Sequence, residues 1–194
     1  MEWNGNFSIL VAREKVLVQL AHYSANLLVR TSLQSSTQSE TTLAWMLRII
    51  DDRLKHIFAG DLQTSFDPID CLIYRAMAEE RYHLPSWDTL PFPLVHADLS
   101  KLNIVVDDNF IINGILDWDG WACRLPLQCA LRCPEMITAD NDPLPEAFRE
   151  DRLVFIHHFT STIRSSSIPN SDDIAIQLPS MMADDELQLF HLSI

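Results

Sequence analysis

Apolar residues in this chain recur mostly at helical spacing, and the pattern turns strand-like only once, in the middle. Between about Ile9 and Val29, Val16, Leu17, Leu20, Ala21, Leu27 and Leu28 return every three or four positions, which predicts one long helix. The Ser/Thr/Gln run from Leu33 to Thr42 carries few apolar side chains and predicts a surface connection. A second helix is expected from Thr41 to Ala59, with Leu43, Leu47, Ile50, Leu54 and Ile57 on one stripe. Gly60 suits its C-terminal cap, where a left-handed residue closes the helix. A third helix opens with Asp67 as N-cap and Pro68 at the first helical position, where a missing N–H costs nothing. Its predicted buried stripe is Ile69, Leu72, Ile73, Ala76 and Met77. Pro85 marks its end, and Pro85, Pro91 and Pro93 force an extended approach to Leu94 and Val95.

After His96 the period changes. Ile104 to Asp107 and Phe110 to Leu116 are β-branched, apolar runs separated by Asp-Asn turn residues, which reads as a hairpin. Leu125 to Ile137 and Pro145 to Ile163 return to helical patterning. Beyond Arg164 there is no Lys or Arg, only Asp172, Asp173, Asp184, Asp185 and Glu186 among charged residues. That stretch, 165–194, is expected to be an acidic, mobile extension of a domain covering 1–164. The predicted class is α+β, mostly helical, with one small hairpin.

Composition narrows the possibilities. At 194 residues, 47% hydrophobic and 21% charged, the chain fits a single globular domain with a core of its own. A formal net charge of −13 argues against nonspecific nucleic-acid binding, because phosphate backbones attract basic surfaces. A nucleotide remains compatible with it, since magnesium bridges acidic side chains to phosphates. No apolar run reaches membrane-spanning length; Val16 to Val29 is interrupted by Gln19, His22, Ser24 and Asn26. Glu2 and Glu14 argue against a signal peptide, so a cytoplasmic protein without membrane partners is expected. Cys71, Cys123, Cys129 and Cys133 form no Cys-x-x-Cys and no zinc spacing, and read as buried, reduced thiols.

The chemistry lies in His96-Ala97-Asp98 and the residues that follow. Asp98 is followed five residues later by Asn103, and the hairpin after it ends in Asp117. Singly, each has an ordinary explanation as a turn cap or strand terminus, and His96 as a satisfied core histidine. Together they are the polar set that phosphoryl transfer requires. Such an enzyme mainly positions the acceptor and neutralises charge on phosphate oxygens. Asp98 can take a hydroxyl proton, while Asn103 and Asp117 offer hard oxygen ligands for magnesium.

The sequence His96-Ala97-Asp98 through Asn103, with Leu116-Asp117-Trp118, resembles the aminoglycoside phosphotransferase family, whose pattern is His-Gly-Asp, four residues, Asn, an apolar run and Ile-Asp-Trp. That family has a protein-kinase-like fold. The region from Thr41 to Ile137 is similar to its C-terminal lobe, especially in fungal members. The resemblance implies Asp98 as catalytic base, Asn103 and Asp117 as magnesium ligands, and ATP with Mg2+ as cofactors. It also implies a small hydroxylated acceptor such as an aminoglycoside or choline, and the acidic balance suits a cationic one.

The chain departs from the pattern in several places. Ala97 stands where Gly is common, and Ser100 where protein kinases carry a Lys. Gly5, Gly60, Gly114 and Gly120 are the only glycines and none clusters into a phosphate loop, so no cofactor-binding residue is assigned and the ATP lobe is expected to be missing. Lys15, Lys55 and Lys101, the only lysines, match no ATP anchor. Two readings follow: a small-molecule phosphotransferase with little autonomous turnover, or a truncated or degenerate member acting as a binding module. Trp118, Trp121, Asp119, Glu79, Glu80 and the His157-His158 pair are assigned packing or surface roles.

Overall fold

A computed structural model describes residues 7–33, 40–61, 68–119, 122–134, 137 and 146–188. Among the described residues the named helices and strands are α1 (Phe7–Leu33), α2 (Thr42–Ala59), α3 (Pro68–Met77), β1 (Leu94–His96), β2 (Ile104–Val106), β3 (Ile112–Ile115), β4 (Ala122–Arg124), α4 (Leu127–Ala130), α5 (Glu146–Arg164) and α6 (Ser171–Ala183). The protein is thus a mostly helical α+β fold with two small antiparallel sheets.

The helix expected near the N-terminus forms, and its stripe is the centre of the core. Leu17, Leu20, Ala21, Ala25 and Leu28 are buried at three- and four-residue spacing, and α1 packs along α5, whose Phe155, Phe159 and Ile163 are buried too. Arg13 and Asp151 form an ion pair between the two helices, and burial pushes the Asp151 carboxyl up despite that partner. α2 has the predicted ends. The Thr41 side chain accepts the Ala44 N–H at 3.1 Å, and Gly60, at φ 74°, sends its N–H back to the Ile57 carbonyl at 3.1 Å. Most of the Leu33–Thr42 connection and the Asp67 cap lie outside the described residues.

On α3 the buried stripe is not the predicted one. Ile69, Leu72 and Ile73 are 62%, 55% and 51% exposed, and Ala76 is exposed as well; only Met77 of the expected set packs against the core. Cys71 and Ala78 face inward instead, seven residues apart and so on one helix face, followed by Tyr82 in a π-turn over Ala78–Tyr82. The position of α2 decides which face of α3 is covered, and α2 leans on the polar-looking side.

β1 pairs antiparallel with β4 in the register Leu94↔Arg124, Val95↔Cys123, His96↔Ala122. The predicted hairpin forms from β2 and β3, Ile104↔Ile115 and Val105↔Gly114, with a register shift at Val105/Val106. Asp107 Oδ1 closes its turn by accepting the N–H groups of Asn109 and Ile111 at 2.9 and 2.8 Å.

Two expectations fail beyond the hairpin. The stretch 125–137 holds only the single turn α4 within its described residues; 131–134 is irregular and is held by side-chain hydrogen bonds. The Gln188 Oε1 accepts the Cys133 N–H at 2.8 Å, and Gln188 Nε2 donates to the Met181 and Leu131 carbonyls at 3.2 and 3.5 Å. The segment after Arg164 is no loose extension through its described part. Helix α6 packs on α5 and buries Ile174, Ala175, Leu178, Met181 and Met182, and a further helical turn at 185–188 brings Gln188 into the core. Its acids lie at the surface or in the first turn, where Asp172 and Asp173 complement the helix dipole.

All four thiols are free, and three of them are buried. Burial pushes the Cys133 thiol up to about 12 and raises Cys123 and Cys129 as well.

Leu178→Ala and Met182→Ala should each cost about 2–5 kcal/mol, as large-to-small changes in a packed core do, measured by urea denaturation. Deleting 165–194 should abolish the cooperative transition, whereas an unaltered midpoint would mean that α6 adds nothing to the core. At pH 8 the folded chain should react with a thiol reagent first at half-buried Cys123, with Cys71, Cys129 and Cys133 labelled only on unfolding. Mass-spectrometric mapping of the labelled sites checks this.

Candidate functional site

The three singled-out residues lie on two loops that the backbone ties together. Asp98 follows β1, whose entry is fixed by the Leu94 N–H on Thr31 Oγ1 at 2.9 Å, and by Arg124 Nη1 and the Leu125 N–H on the carbonyls of Phe92 and Pro93. The loop then turns, with the Asn103 N–H on the Ser100 carbonyl at 3.1 Å, and enters β2.

Asn103 is buried and connects the two loops. Its Nδ2 donates to the Asp98 carbonyl at 2.9 Å and to Asp98 Oδ2 at 3.0 Å. Two oxygen acceptors around one amide end set its orientation, because the reversed amide would face oxygen with oxygen. That leaves Asn103 Oδ1 without a protein partner among the described residues. The Asn103 carbonyl also accepts the Leu116 N–H at 2.8 Å, so the residue before Asp117 is held directly on Asn103.

Leu116 is held from its other side as well. Its carbonyl accepts His96 Nε2 at 2.9 Å, while the Trp118 indole N–H donates to the Ile115 carbonyl at 2.9 Å. The rings of His96 and Trp118 meet edge to face at 4.7 Å. Pinned between these contacts, the chain passes through Asp117 at φ 59°, a left-handed conformation that Asp tolerates better than bulky residues do. Asp117 itself is exposed. Phe110 in the hairpin turn and Asn170 before α6 share this conformation.

This geometry gives the predicted residues distinct environments. The Asp98 carboxylate is half-buried, with one oxygen engaged by Asn103; Asn103 is buried with one oxygen left over; Asp117 presents a carboxylate to solvent. Among the described residues no three His, Cys, Asp or Glu side chains gather into a metal cluster. Magnesium does not need one, since it keeps several waters and takes one or two protein oxygens plus phosphate. The hard oxygens of Asn103 and Asp117 fit that requirement.

Two residues passed over in the sequence belong to this architecture. His96, read as an ordinary core histidine, is buried and joins β1 to the end of the hairpin. Arg132 donates Nη2 to the Ala97 carbonyl at 3.0 Å, directly behind Asp98. Its one sequence signal was a lone cation in the apolar run Leu127 to Cys133. The lysines are otherwise engaged or peripheral: Lys15 donates to the Asn109 carbonyl, Lys55 pairs with Asp52, and Lys101 is exposed.

Comparison with known proteins returns no matching curated protein and no matching solved structure. A family model does match, that of the phosphotransferase enzyme family, over residues 12–153. The match covers well over half of the chain and encloses most of α1, both strand pairs and the whole Asp98–Asp117 constellation. The chain therefore belongs to the phosphotransferase enzyme family, the relationship that the His96–Trp118 motif suggested.

Proposed function

We propose that this chain carries the acceptor and magnesium side of an ATP-dependent phosphotransferase acting on a hydroxyl of a small molecule. The observation that carries the reading is the Asn103 amide, turned so that its N–H groups meet Asp98 and its oxygen stays unengaged. Asp98 is the catalytic base. With Oδ2 held by Asn103, Asp98 Oδ1 is left to accept the acceptor's hydroxyl proton. Asn103 Oδ1 and the Asp117 carboxylate would hold magnesium, which when bound neutralises charge on the phosphate oxygens. Asp117, in its left-handed turn, is exposed and so open to a bound ion. The net charge of −13 suits a cationic acceptor, of the amino-sugar or choline type. Within this reading the region from Thr41 to Ile137 corresponds to the C-terminal lobe of a kinase-like fold, of the kind fungal members of the family carry.

A second reading, a family member without turnover, has its own observation. The four glycines are scattered through the sequence, and the lysine nearest the hairpin, Lys15, spends its amine on a turn carbonyl. ATP needs its phosphates cradled by backbone N–H groups and a cation, and that clamp also sets the in-line geometry of transfer.

Manganese as a paramagnetic stand-in for magnesium, with ATP, separates the readings. Asn103→Ala and Asp117→Ala should each weaken metal binding at least about tenfold, while Asp98→Asn should leave it intact. With Mg-ATP and a panel of amino-sugar and choline-like acceptors, slow turnover that falls about 10²–10⁴-fold in Asp98→Asn supports transfer. Metal binding that depends on Asn103 and Asp117, with no turnover in the wild type, favours the second reading. Metal binding indifferent to both residues overturns the site.

A further inference from the structure

Helix α3 presents an apolar stripe to solvent. Ile69, Leu72, Ile73 and Ala76, spaced i, i+3, i+4 and i+7, are all exposed, and the opposite face, with Cys71 and Ala78, is the one that the core covers. Phe58, 74% exposed, extends the patch on α2. It stands seven residues after Asp51 and so on the same helix face. Asp51 Oδ1 accepts Arg75 Nη1 at 2.6 Å, on the Leu72 flank of α3.

Single exposed apolar residues are ordinary on a globular protein, whereas a contiguous patch of several hundred Å² marks an interaction surface. A large apolar side chain offers about 200 Å² when fully exposed, so at their fractional exposures Phe58, Ile69, Leu72 and Ile73 offer about 500 Å² together. Charge does not select what docks there, since the Arg75 guanidinium beside the stripe is already engaged by Asp51 and Glu79. None of Asp98, Asn103 and Asp117 lies on α2 or α3, so this surface is separate from the candidate site.

We propose that this surface joins two copies of the chain, with α3 antiparallel to α3 of the second copy across a two-fold axis between Leu72 and Ile73. Two such patches bury about 1,000 Å² before any rim residue is counted, the least that a specific interface clears. The order of sizes along the stripe favours a second copy in this orientation. Ile69 then meets Ala76 of the other chain, large against small, and the two-fold axis repeats that contact at the other end. A parallel pair would set Ile69 on Ile69 and Ala76 on Ala76, overpacked at one end and empty at the other. The surface goes beyond the phosphotransferase reading and does not depend on it.

The test is sedimentation equilibrium of the full chain from about 1 to about 200 μM, a range that spans the affinities of modest apolar interfaces. The wild type should show a monomer–dimer equilibrium with its midpoint below about 100 μM. Added salt should strengthen it, because screening relieves the repulsion between two chains of net charge −13. Leu72→Glu and Ile73→Glu should each weaken dimerisation at least about tenfold. Both positions are exposed, so the urea midpoints of the dilute monomers should not change. Ile176→Glu, exposed on α6, should leave dimerisation unaltered. Ile69→Ala and Ala76→Ile should each weaken it, and the double variant should recover it, since large again meets small. A chain that is monomeric throughout, or a dimer indifferent to Leu72→Glu and Ile73→Glu, overturns the proposal. A double variant as weak as its weaker parent overturns the antiparallel pairing.

Discussion

Everything in this fold hangs from α1. Its apolar face is buried against α5, and burial of that size is the dominant favourable term in a domain of this length. Its polar edge is equally important, because both strand pairs are attached to it by side chains rather than by a shared sheet. Thr31 receives the Leu94 N–H at the start of β1. Gln19 holds the β2–β3 hairpin twice, donating to the Phe110 carbonyl at 2.8 Å and accepting the Ile112 N–H at 3.0 Å. One rigid helix thereby sets the relative position of the loop bearing Asp98 and the hairpin bearing Asp117. A two-stranded pair is too small to be stable alone, so this anchoring complements the direct ties that His96 and Asn103 make between the loop and the hairpin.

Much of this was legible in the sequence, for reasons that can be named. Gly60 announced the end of α2 because capping is local chemistry, decided by the residues at the helix ends. The hairpin was legible because Asp107 and Asn109 close its turn with their own atoms. The spacing of Asp98, Asn103 and Asp117 pointed to one constellation, and the family match spans all three.

What escaped the sequence was tertiary. Ile69, Leu72 and Ile73 make a good apolar stripe, yet a stripe does not say which side its partner occupies, and α2 covers Cys71 instead. Leu125 to Ile137 has helical spacing but gives up the helix after Ala130, where buried Gln188 offers the backbone other partners. In α6 the acids drew attention from Ile174, Leu178, Met181 and Met182, whose spacing was helical throughout. The left-handed turn at Asp117 follows from contacts between distant segments, and no local pattern encodes it.

The Gln188 contacts have a consequence for how the chain comes to be made. Proteins emerge from the ribosome N-terminus first and begin to fold as they emerge. Here the buried N–H of Cys133 waits on a side chain 55 residues further along. Until that residue has been synthesised and has left the ribosome, the 131–134 segment lacks its anchor, and Arg132 lacks a fixed place from which to reach the Ala97 carbonyl. The α1 core and the hairpin can assemble earlier, from residues already in hand once α5 has emerged. The stretch behind Asp98 therefore acquires its final shape only after Gln188 has emerged, later than the α1 core and the hairpin that surround it.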